Sequence, residues 1–218
     1  MADSSNSNAK FKILLKRLAK QYPGSAVQLC ALVHRSPFEL LVATILSAQC
    51  TDKRVNQVTP AFFKKYPDPS ALSRASLKDV EEMVHSTGFY KAKAANLVAM
   101  SQALISNFGG EVPKTLSELT TLAGVGRKTA NVIRSVAFGL GGIAVDTHVG
   151  RVSRRLGLTT NMNPDIIGEE LEAIVPPGQQ GSFSLRLILH GRQVCKARKP
   201  LCDVCILADM CPSSKALP

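Results

Sequence analysis

The chain has 218 residues, of which 45% are hydrophobic and 20% charged, a composition typical of a folded globular protein and not of a disordered one. Lys and Arg together number 27 against 16 for Asp and Glu, giving a formal charge of +11, which favours a polyanionic partner, with nucleic acid ahead of an anionic membrane surface. The sequence has no run of 18 apolar residues, so it predicts no membrane span.

The chain begins with a polar segment and continues with helical patterns. Met1 to Asn8 has neither a secretory apolar stretch nor targeting arginines, and it predicts a frayed tail in a cytoplasmic protein. Phe11, Leu14, Leu15 and Leu18 follow the spacing of an amphipathic helix. Helix starts are predicted at Ser36, Ser76, Thr115, Asp146, Asn163 and Ser182, and stops at Gly88, Gly109 and Gly157.

The run from Phe38 to Leu46 is apolar all round, which predicts a buried central helix. Capping signals also predict a long helix from about Lys91 to Asn107. The sequence shows neither clear strand alternation nor a repeat of fixed period. We therefore predict an all-α protein of two lobes, with the C-terminal lobe organised by cysteines.

The first chemical motif spans residues 119–130, where Gly124-Val125-Gly126 lies between two predicted helices. Glycines let a backbone approach a ligand closely, and the N–H groups of such a turn and of the next helix can bind phosphate. The pattern predicts a helix-hairpin-helix element that grips the DNA backbone without reading sequence.

Lys128 begins the second helix of this motif. A solvated surface lysine is the ordinary interpretation, whereas a nucleophile needs a neutral amine. A helix N-terminus, nearby cations and partial burial all disfavour the ammonium form. The residues alone leave both interpretations open.

Asp146 follows the apolar stretch Ile143 to Val145 and precedes a predicted helix. As an N-cap it would contribute ~1 kcal/mol to the stability of the fold. Beside a pocket for a flipped base it could instead stabilise positive charge on a sugar or activate an attacking amine. His148 is a candidate DNA contact, with a structural role as the alternative.

Four cysteines, Cys195, Cys202, Cys205 and Cys211, form the pattern C-x6-C-x2-C-x5-C. Four thiolates at this spacing can hold zinc or a [4Fe–4S] cluster, and ligand chemistry alone leaves both possible. The first loop between these ligands presents the cations Lys196, Arg198 and Lys199, which could contact phosphate or be simply solvated. The two other cysteines, Cys30 and Cys50, are predicted to be core thiols.

Together these motifs resemble the endonuclease III family of DNA glycosylase/AP lyases, over about Arg35 to Cys211. The landmarks that carry the resemblance are Leu46-Ser47-Ala48-Gln49-Cys50-Thr51-Asp52, Gly124-Val125-Gly126-Arg127-Lys128-Thr129-Ala130, Val145-Asp146-Thr147-His148, Leu189-His190-Gly191-Arg192 and the cysteine spacing. The resemblance implies the helix-hairpin-helix glycosylase fold, with a six-helix barrel lobe at 30–140, its hairpin at about 115–136, and an iron–sulfur cluster lobe at 1–29 and 141–218. It also implies a [4Fe–4S] cluster rather than zinc.

The resemblance further implies a reaction and its residues. Lys128 would be the Schiff-base nucleophile and Asp146 the catalytic acid, removing oxidised pyrimidines and cleaving the strand on the 3′ side by β-elimination. Gln49 would fill the gap left by the flipped nucleotide, and Phe89 would wedge into the opposite strand. The DNA-contact residues implied in all are Gln49, Phe89, Gly124, Val125, Gly126, Arg127, Thr129, His148, Lys196, Arg198 and Lys199.

Three positions depart from the family pattern. Ala123 stands where proline is typical, which loosens the turn by under ~1 kcal/mol. Cys50 replaces a small residue such as alanine, and Phe89 is bulkier than the common leucine. The resemblance places the last two near the lesion-sensing edge, so they bear on substrate and opposite-base preference and not on the reaction class.

Two other functions share part of this pattern. Adenine-mismatch glycosylases carry a small hydroxyl residue at the lysine position and usually a further C-terminal domain, whereas this chain has Lys128 and ends at Pro218. A non-catalytic helix-hairpin-helix DNA-binding protein would need neither Lys128 nor Asp146. We expect a monomer that binds double-stranded DNA with damaged bases or abasic sites, binds no membrane, and is cytoplasmic and nucleoid-associated.

Overall fold

The computed structural model describes the main chain of residues 2–215 and the side chains of residues 9–215. Regular structure in this range is helical, with no strand, which confirms the all-α prediction. The α-helices of the described chain are α1 (Ala2–Gln21), α2 (Ala26–Leu29), α3 (Pro37–Leu46), α4 (Asp52–Lys65), α5 (Pro69–Ser73), α6 (Leu77–Val84), α7 (Tyr90–Phe108), α8 (Leu116–Leu119), α9 (Arg127–Val132), α10 (Thr147–Arg155), α11 (Pro164–Ile174) and α12 (Pro177–Gln193). Within residues 2–215, none of these helices is long and apolar enough to cross a membrane.

The chain divides into two compact units. Residues 30–138 form one, here called the hairpin unit, and residues 1–29 with 139–218 form the other, here called the cysteine unit. Helices α1 and α2 thus belong with α10, α11 and α12, although more than a hundred residues of chain separate them.

Helix α3 is the centre of the hairpin unit, as its apolar sequence predicts. Ser36 Oγ accepts from the Glu39 N–H at 3.1 Å, and Pro37 occupies the first turn. The Glu39 carboxylate accepts from the Arg35 N–H at 2.6 Å, one residue before the position expected for a reciprocal capping box. The buried side chains of α3 are Phe38, Leu40, Leu41, Val42, Ala43, Ile45 and Leu46. Because burial of each larger one contributes ~1.5–3 kcal/mol, this helix is a main source of the unit's stability.

Helix α7 lies within one residue of its predicted bounds and ends at Gly109, whose φ of 60° is left-handed. It packs against α3, α5 and α6. Helix α6 begins after Ser76 as predicted, but the Ser76 side chain forms no capping hydrogen bond. The Asp79 carboxylate accepts instead from Lys65 Nζ at 2.5 Å and from the Tyr66 hydroxyl, and so joins α6 to the end of α4.

The core of the cysteine unit is built on α1. The predicted amphipathic face is confirmed, since Leu14 and Leu18 are buried and Phe11 packs edge-on against Phe183 of α12 at 6.2 Å between ring centroids. The predicted frayed tail is wrong for residues 2–8, which continue α1, whereas Met1 lies outside the described residues. Once a helix is nucleated, each added residue gains a hydrogen bond at small cost, so polar residues can extend it.

Helix α12 starts earlier than the sequence predicted. Ser182 was the expected start, but the helix begins at Pro177. Proline has no N–H to satisfy and a φ suited to the first turn, so Pro177 is the stronger signal. Ser182 is therefore internal, and its hydroxyl donates back to the Gln179 carbonyl at 3.1 Å.

Candidate active site and cluster site

The predicted hairpin is present between α8 and α9. Its turn is closed by main-chain bonds from the Leu122 N–H to the Leu119 carbonyl at 3.2 Å and from the Val125 N–H to the Leu122 carbonyl at 3.1 Å. Gly124 has φ of 76°, and a Cβ there would lie 3.0 Å from the Asn96 side chain. Glycine is therefore required at this position for both its conformation and the close approach of α7.

The second helix of the hairpin starts without a side-chain cap, because its N-cap residue is Gly126. Gly126 is exposed, and no atom lies within 4 Å of the position that a Cβ would occupy. The first N–H groups of a helix have no partner within the helix, so a ligand can reach them here. Val125 is buried beneath the turn, whereas Arg127 and Thr129 are half-buried in the first turn of α9.

Lys128 is the second residue of α9 and is exposed. The Lys128 side chain is therefore not partly buried in the protein without DNA. The exposed position leaves the amine accessible to a substrate. Beyond α9 the chain continues in a π-helical turn, Ile133–Ala137, a feature that occurs often at functional sites.

Asp146 is the N-cap of α10, as the capping interpretation expected. Its Oδ1 accepts from the N–H groups of His148 and Val149, both at 2.8 Å. Both bonds use the same oxygen, so capping occupies only one end of the carboxylate. The half-buried Asp146 thus has a fixed orientation.

The segment before Asp146 is fixed by side chains that the sequence interpretation had not singled out. The Gln180 Oε1 accepts from the Gly142 N–H at 2.7 Å, and the Glu172 Oε1 accepts from the Ile143 N–H at 3.0 Å. The Ser184 hydroxyl donates to the Ala144 carbonyl at 2.8 Å. An extended apolar segment needs such partners for its main chain when it is buried, and that requirement is the only signal that could have pointed to them.

His148 contacts another side chain of its own helix. Its Nδ1 lies 3.1 Å from an Nη of Arg151, which also donates to the carbonyls of Gly191 and Cys195 at 3.0 and 3.1 Å. A Cβ at Gly191 would lie 3.0 Å from His148, so the glycine of the Leu189–Arg192 motif permits this packing. The structural interpretation of His148 is therefore supported by the contacts of the free chain.

The four cysteines of the C-terminal pattern line one cavity. All four are half-buried, and apolar residues such as Val152, Leu156 and Leu201 complete the wall. Burial raises the pKa of the Cys205 and Cys211 thiols, and the other cysteines of the set raise it further. This mutual effect shows a concentration of thiols that a positively charged metal centre would stabilise as thiolates.

Among the described side chains, residues 9–215, no group of three His, Cys, Asp or Glu residues is arranged as a site for a metal ion. The four cysteines instead surround the cavity. Their all-sulfur donor set is the one that iron–sulfur clusters use. The residues present therefore fit a [4Fe–4S] cluster.

Several side chains around the cysteines were missed from the sequence. Arg155 Nη1 donates to Cys195 Sγ at 3.4 Å, and the Cys211 thiol donates to the Arg155 carbonyl at 3.2 Å. His190 Nε2 lies 3.5 Å from Cys205 Sγ, and its Nδ1 lies 3.3 Å from the Tyr22 hydroxyl. Burial lowers the pKa of His190 to about 4, so this ring is neutral near pH 7. The Leu189–Arg192 motif was the signal that could have drawn attention to it.

The basic loop after Cys195 is exposed at Lys196, Arg198 and Lys199. Arg155 fixes its main chain by donating to the carbonyls of Lys196 and Ala197 at 2.7 and 2.9 Å. Lys199 has a left-handed φ of 52°. The loop is thus held from below while its three cations face solvent.

Gln49 and Phe89 lie in the hairpin unit and are both exposed, Phe89 to 66% of its surface. Both also adopt left-handed backbone, with φ of 52° and 49°. An exposed phenylalanine in such a conformation is uncommon, and these positions often have functional reasons.

Comparison with known proteins places these features in a family. A model described as HhH-GPD superfamily base excision DNA repair protein matches residues 42–177, and one described as the iron-sulfur binding domain of endonuclease III matches residues 195–211. Endonuclease III of Synechocystis sp. is 49% identical over 217 residues, which cover 99% of this chain and 96% of the relative.

Two solved structures agree with this relationship. A non-covalent endonuclease III–DNA complex matches with a TM-score of 0.86 and 42% identity, covering 94% of this chain and 95% of that chain. A trapped endonuclease III–DNA covalent intermediate matches with a TM-score of 0.86 and 43% identity, covering 94% and 96%. The predicted helix-hairpin-helix glycosylase fold is confirmed, and the choice between zinc and iron–sulfur is resolved in favour of a [4Fe–4S] cluster. The chain belongs to the endonuclease III family, within the helix-hairpin-helix superfamily of base excision DNA repair proteins.

Proposed function

We propose that this DNA glycosylase/AP lyase removes oxidised pyrimidines from double-stranded DNA through Lys128 and then cleaves the strand on the 3′ side of the abasic site. The observation that carries the proposal is the accessible Lys128 amine, in the first turn of a helix whose N-terminus no side chain caps. The solved relative trapped as a covalent endonuclease III–DNA intermediate supports chemistry through a covalent bond to DNA.

In the first step the damaged nucleotide leaves the base stack, because its reacting atom is inaccessible inside the duplex. The neutral Lys128 amine then attacks C1′, the bond from C1′ to the base breaks, and the departing base takes up a proton. Opening of the sugar leaves an imine between Nζ and C1′. Bound DNA would supply the desolvation of Lys128 that the free chain lacks.

In the second step the imine acidifies the C2′ proton. Loss of this proton and breakage of the bond from C3′ to its phosphate oxygen cleave the strand on the 3′ side.

Asp146 acts in the first step, where it assists departure of the base by stabilising the positive charge that develops on the sugar. Its cap to α10 holds the carboxylate in one orientation and leaves the second oxygen for this task.

Binding of DNA uses three sets of residues in this proposal. The Gly124-Val125-Gly126 turn with Arg127 and Thr129 binds phosphate through its N–H groups and charge. Lys196, Arg198 and Lys199 add phosphate contacts from the cysteine unit, with His148 as a further contact. Gln49 and Phe89 enter the duplex, one in the gap of the flipped nucleotide and the other in the opposite strand.

The cluster would be held by Cys195, Cys202, Cys205 and Cys211, and when bound it supplies a rigid cross-link of the loop and a centre capable of one-electron redox chemistry. The lobes of the family fold correspond in this proposal to residues 30–140 and to residues 1–29 with 141–218. The enzyme acts as a monomer on lesion-containing or abasic duplex DNA, associated with the nucleoid in the cytoplasm.

Borohydride trapping tests the reaction. The protein is incubated with duplex DNA carrying an oxidised pyrimidine, reduced, and run on a denaturing gel beside Lys128→Ala. We expect a covalent adduct that Lys128→Ala abolishes and that Lys78→Ala, an exposed lysine on α6, leaves intact. Tight binding without an adduct on this DNA or on an abasic duplex would instead support a monofunctional glycosylase or a non-catalytic binding protein.

A further inference from the structure

The loops that carry Gln49 and Phe89 have the same design. Each follows the end of a helical segment, since α3 ends at Leu46 and a 3₁₀ turn ends at Thr87. Each then places an exposed side chain on a left-handed residue that is not glycine. Such backbone is costly, so contacts elsewhere must hold both loops in shape.

Lys93 of α7 makes the contact that the two loops share. It is only 4% exposed, and its Nζ lies 2.8 Å from the Leu46 carbonyl and 2.8 Å from the Thr87 carbonyl. One ammonium group therefore joins the end of α3 to the end of the 3₁₀ turn. Its main-chain N–H also donates to the Phe89 carbonyl at 3.1 Å.

The Leu46 carbonyl needs this donor because the helix stops there. If α3 continued, the Cys50 N–H would donate to Leu46, but it donates to the Ser47 carbonyl at 3.0 Å instead. A cation at a helix C-terminus is also favoured by the helix dipole. Lys93 thus satisfies a buried acceptor that the turn towards Gln49 leaves open.

Burial lowers the pKa of Lys93, and the nearby Cys50 opposes this effect. A buried ammonium is costly to keep unless its N–H groups are used. The Lys93 ammonium donates to the two carbonyls. These belong to Leu46, three residues before Gln49, and to Thr87, two residues before Phe89. An apolar side chain in its place would leave the Leu46 and Thr87 carbonyls without this donor.

We infer that Lys93 is the positioning residue for DNA insertion, because its ammonium fixes the spacing of the loops that present Gln49 and Phe89. This inference rests on the proposed function, in which these two side chains enter the duplex. Lys93 itself touches no DNA in this proposal. Its loss would leave the phosphate grip and Lys128 in place but allow the inserting side chains to separate.

The test compares Lys93→Met, which keeps the buried alkyl chain, with the control Lys78→Met on exposed α6. Two readouts are used: fluorescence of 2-aminopurine placed beside a stable abasic-site analogue, and the ratio of Kd for undamaged and abasic duplex. Wild-type protein and the control should raise the fluorescence, since insertion unstacks the probe. With Lys93→Met the fluorescence rise should fall by at least half, and the ratio of the Kd for undamaged duplex to the Kd for abasic duplex should fall about tenfold. Its affinity for undamaged duplex should stay within about twofold of the wild-type value.

A double-mutant cycle with Phe89→Ala sharpens the result, because in the Lys93→Met background that substitution should change the Kd ratio by less than about twofold. If Lys93→Met does not fold, Lys93→Gln, whose amide reaches at most one carbonyl, should show a partial loss. Either folded variant with wild-type fluorescence and Kd ratio overturns the inference, and so does an equal loss of affinity for both duplexes. Absence of a fluorescence rise with wild-type protein also overturns it, whereas borohydride trapping through Lys128 tests the proposed chemistry separately.

Discussion

The hairpin turn at residues 119–130 and the cysteine loop at residues 195–211 both lie in segments that family models match, but different contacts hold them in shape. In the hairpin, main-chain bonds join residues three or four apart, as from Val125 to Leu122 and from Ala130 to Gly126. In the cysteine loop the supporting side chains come from distant segments. Arg155 lies 40 residues from Cys195, and Arg17 donates to Asp209 across 192 residues.

The hairpin is therefore formed mainly by its local sequence, whereas the cysteine loop depends on the packing of the whole cysteine unit. The hairpin needs glycine at one strained position and a neighbouring helix. The cysteine loop is supported by side chains of α1 and α10, and in the proposed function its four cysteines also hold the cluster. We therefore expect the hairpin to tolerate loss of the cluster, and the cysteine loop to depend on it.

The largest expected effect comes from removing one cluster ligand. Cys202→Ser should abolish the visible absorbance of the cluster and destabilise the cysteine unit by several kcal/mol, since metal binding to a structural site contributes on the order of 10 kcal/mol to folding in zinc proteins. Hydrogen exchange should accelerate in α10 and α12 but little in α3 and α7. Cys30→Ser, which changes a half-buried thiol of the hairpin unit, serves as the control. Equal acceleration in both units would show that the hairpin depends on the cluster as well.

A smaller effect is expected for Gly124→Ala in the hairpin. The added methyl group would meet Asn96 at 3.0 Å on a backbone with φ of 76°, so the free energy of unfolding should fall by about 2 kcal/mol. Because the turn would shift, affinity for undamaged duplex should fall as well, while cluster absorbance stays unchanged. Adding Asn96→Ala should restore only part of the lost stability, because it removes the clash with the new methyl group but leaves the backbone strain at residue 124. Full restoration would show that the left-handed backbone costs nothing here.

The same difference explains what could be predicted from the sequence. The hairpin, the cap at Asp146 and the buried α3 follow from patterns within a few residues, and the structure contains all three. The cysteine spacing likewise predicted a metal site, although the choice of cluster over zinc came from the family. Local patterns also failed where two signals competed, as when Ser182 was preferred to Pro177.

Contacts between distant segments gave no local signal. Nothing in the residues around Lys93 indicates that its ammonium lies against the ends of two other helical segments. Arg155 was likewise one of several arginines on a helix until the structure brought it to Cys195. Such residues carry ordinary side chains whose role depends on the packing of the whole unit, so the local sequence does not indicate it.

Asp146 is an exception to this comparison. It lies in the cysteine unit, but local bonds from the N–H groups of His148 and Val149 hold it. Asparagine is an equally good N-cap, so Asp146→Asn should change the free energy of unfolding by less than about 0.5 kcal/mol, whereas Asp146→Ala should cost ~1 kcal/mol. Both variants should bind lesion duplex, and both should turn over slowly because neither carries the charge that assists base departure. Thermal unfolding and single-turnover excision separate the two contributions. Unfolding of Asp146→Asn would contradict the prediction that asparagine replaces the cap. Excision by the folded variant at the wild-type rate would show that the carboxylate is dispensable for the chemistry.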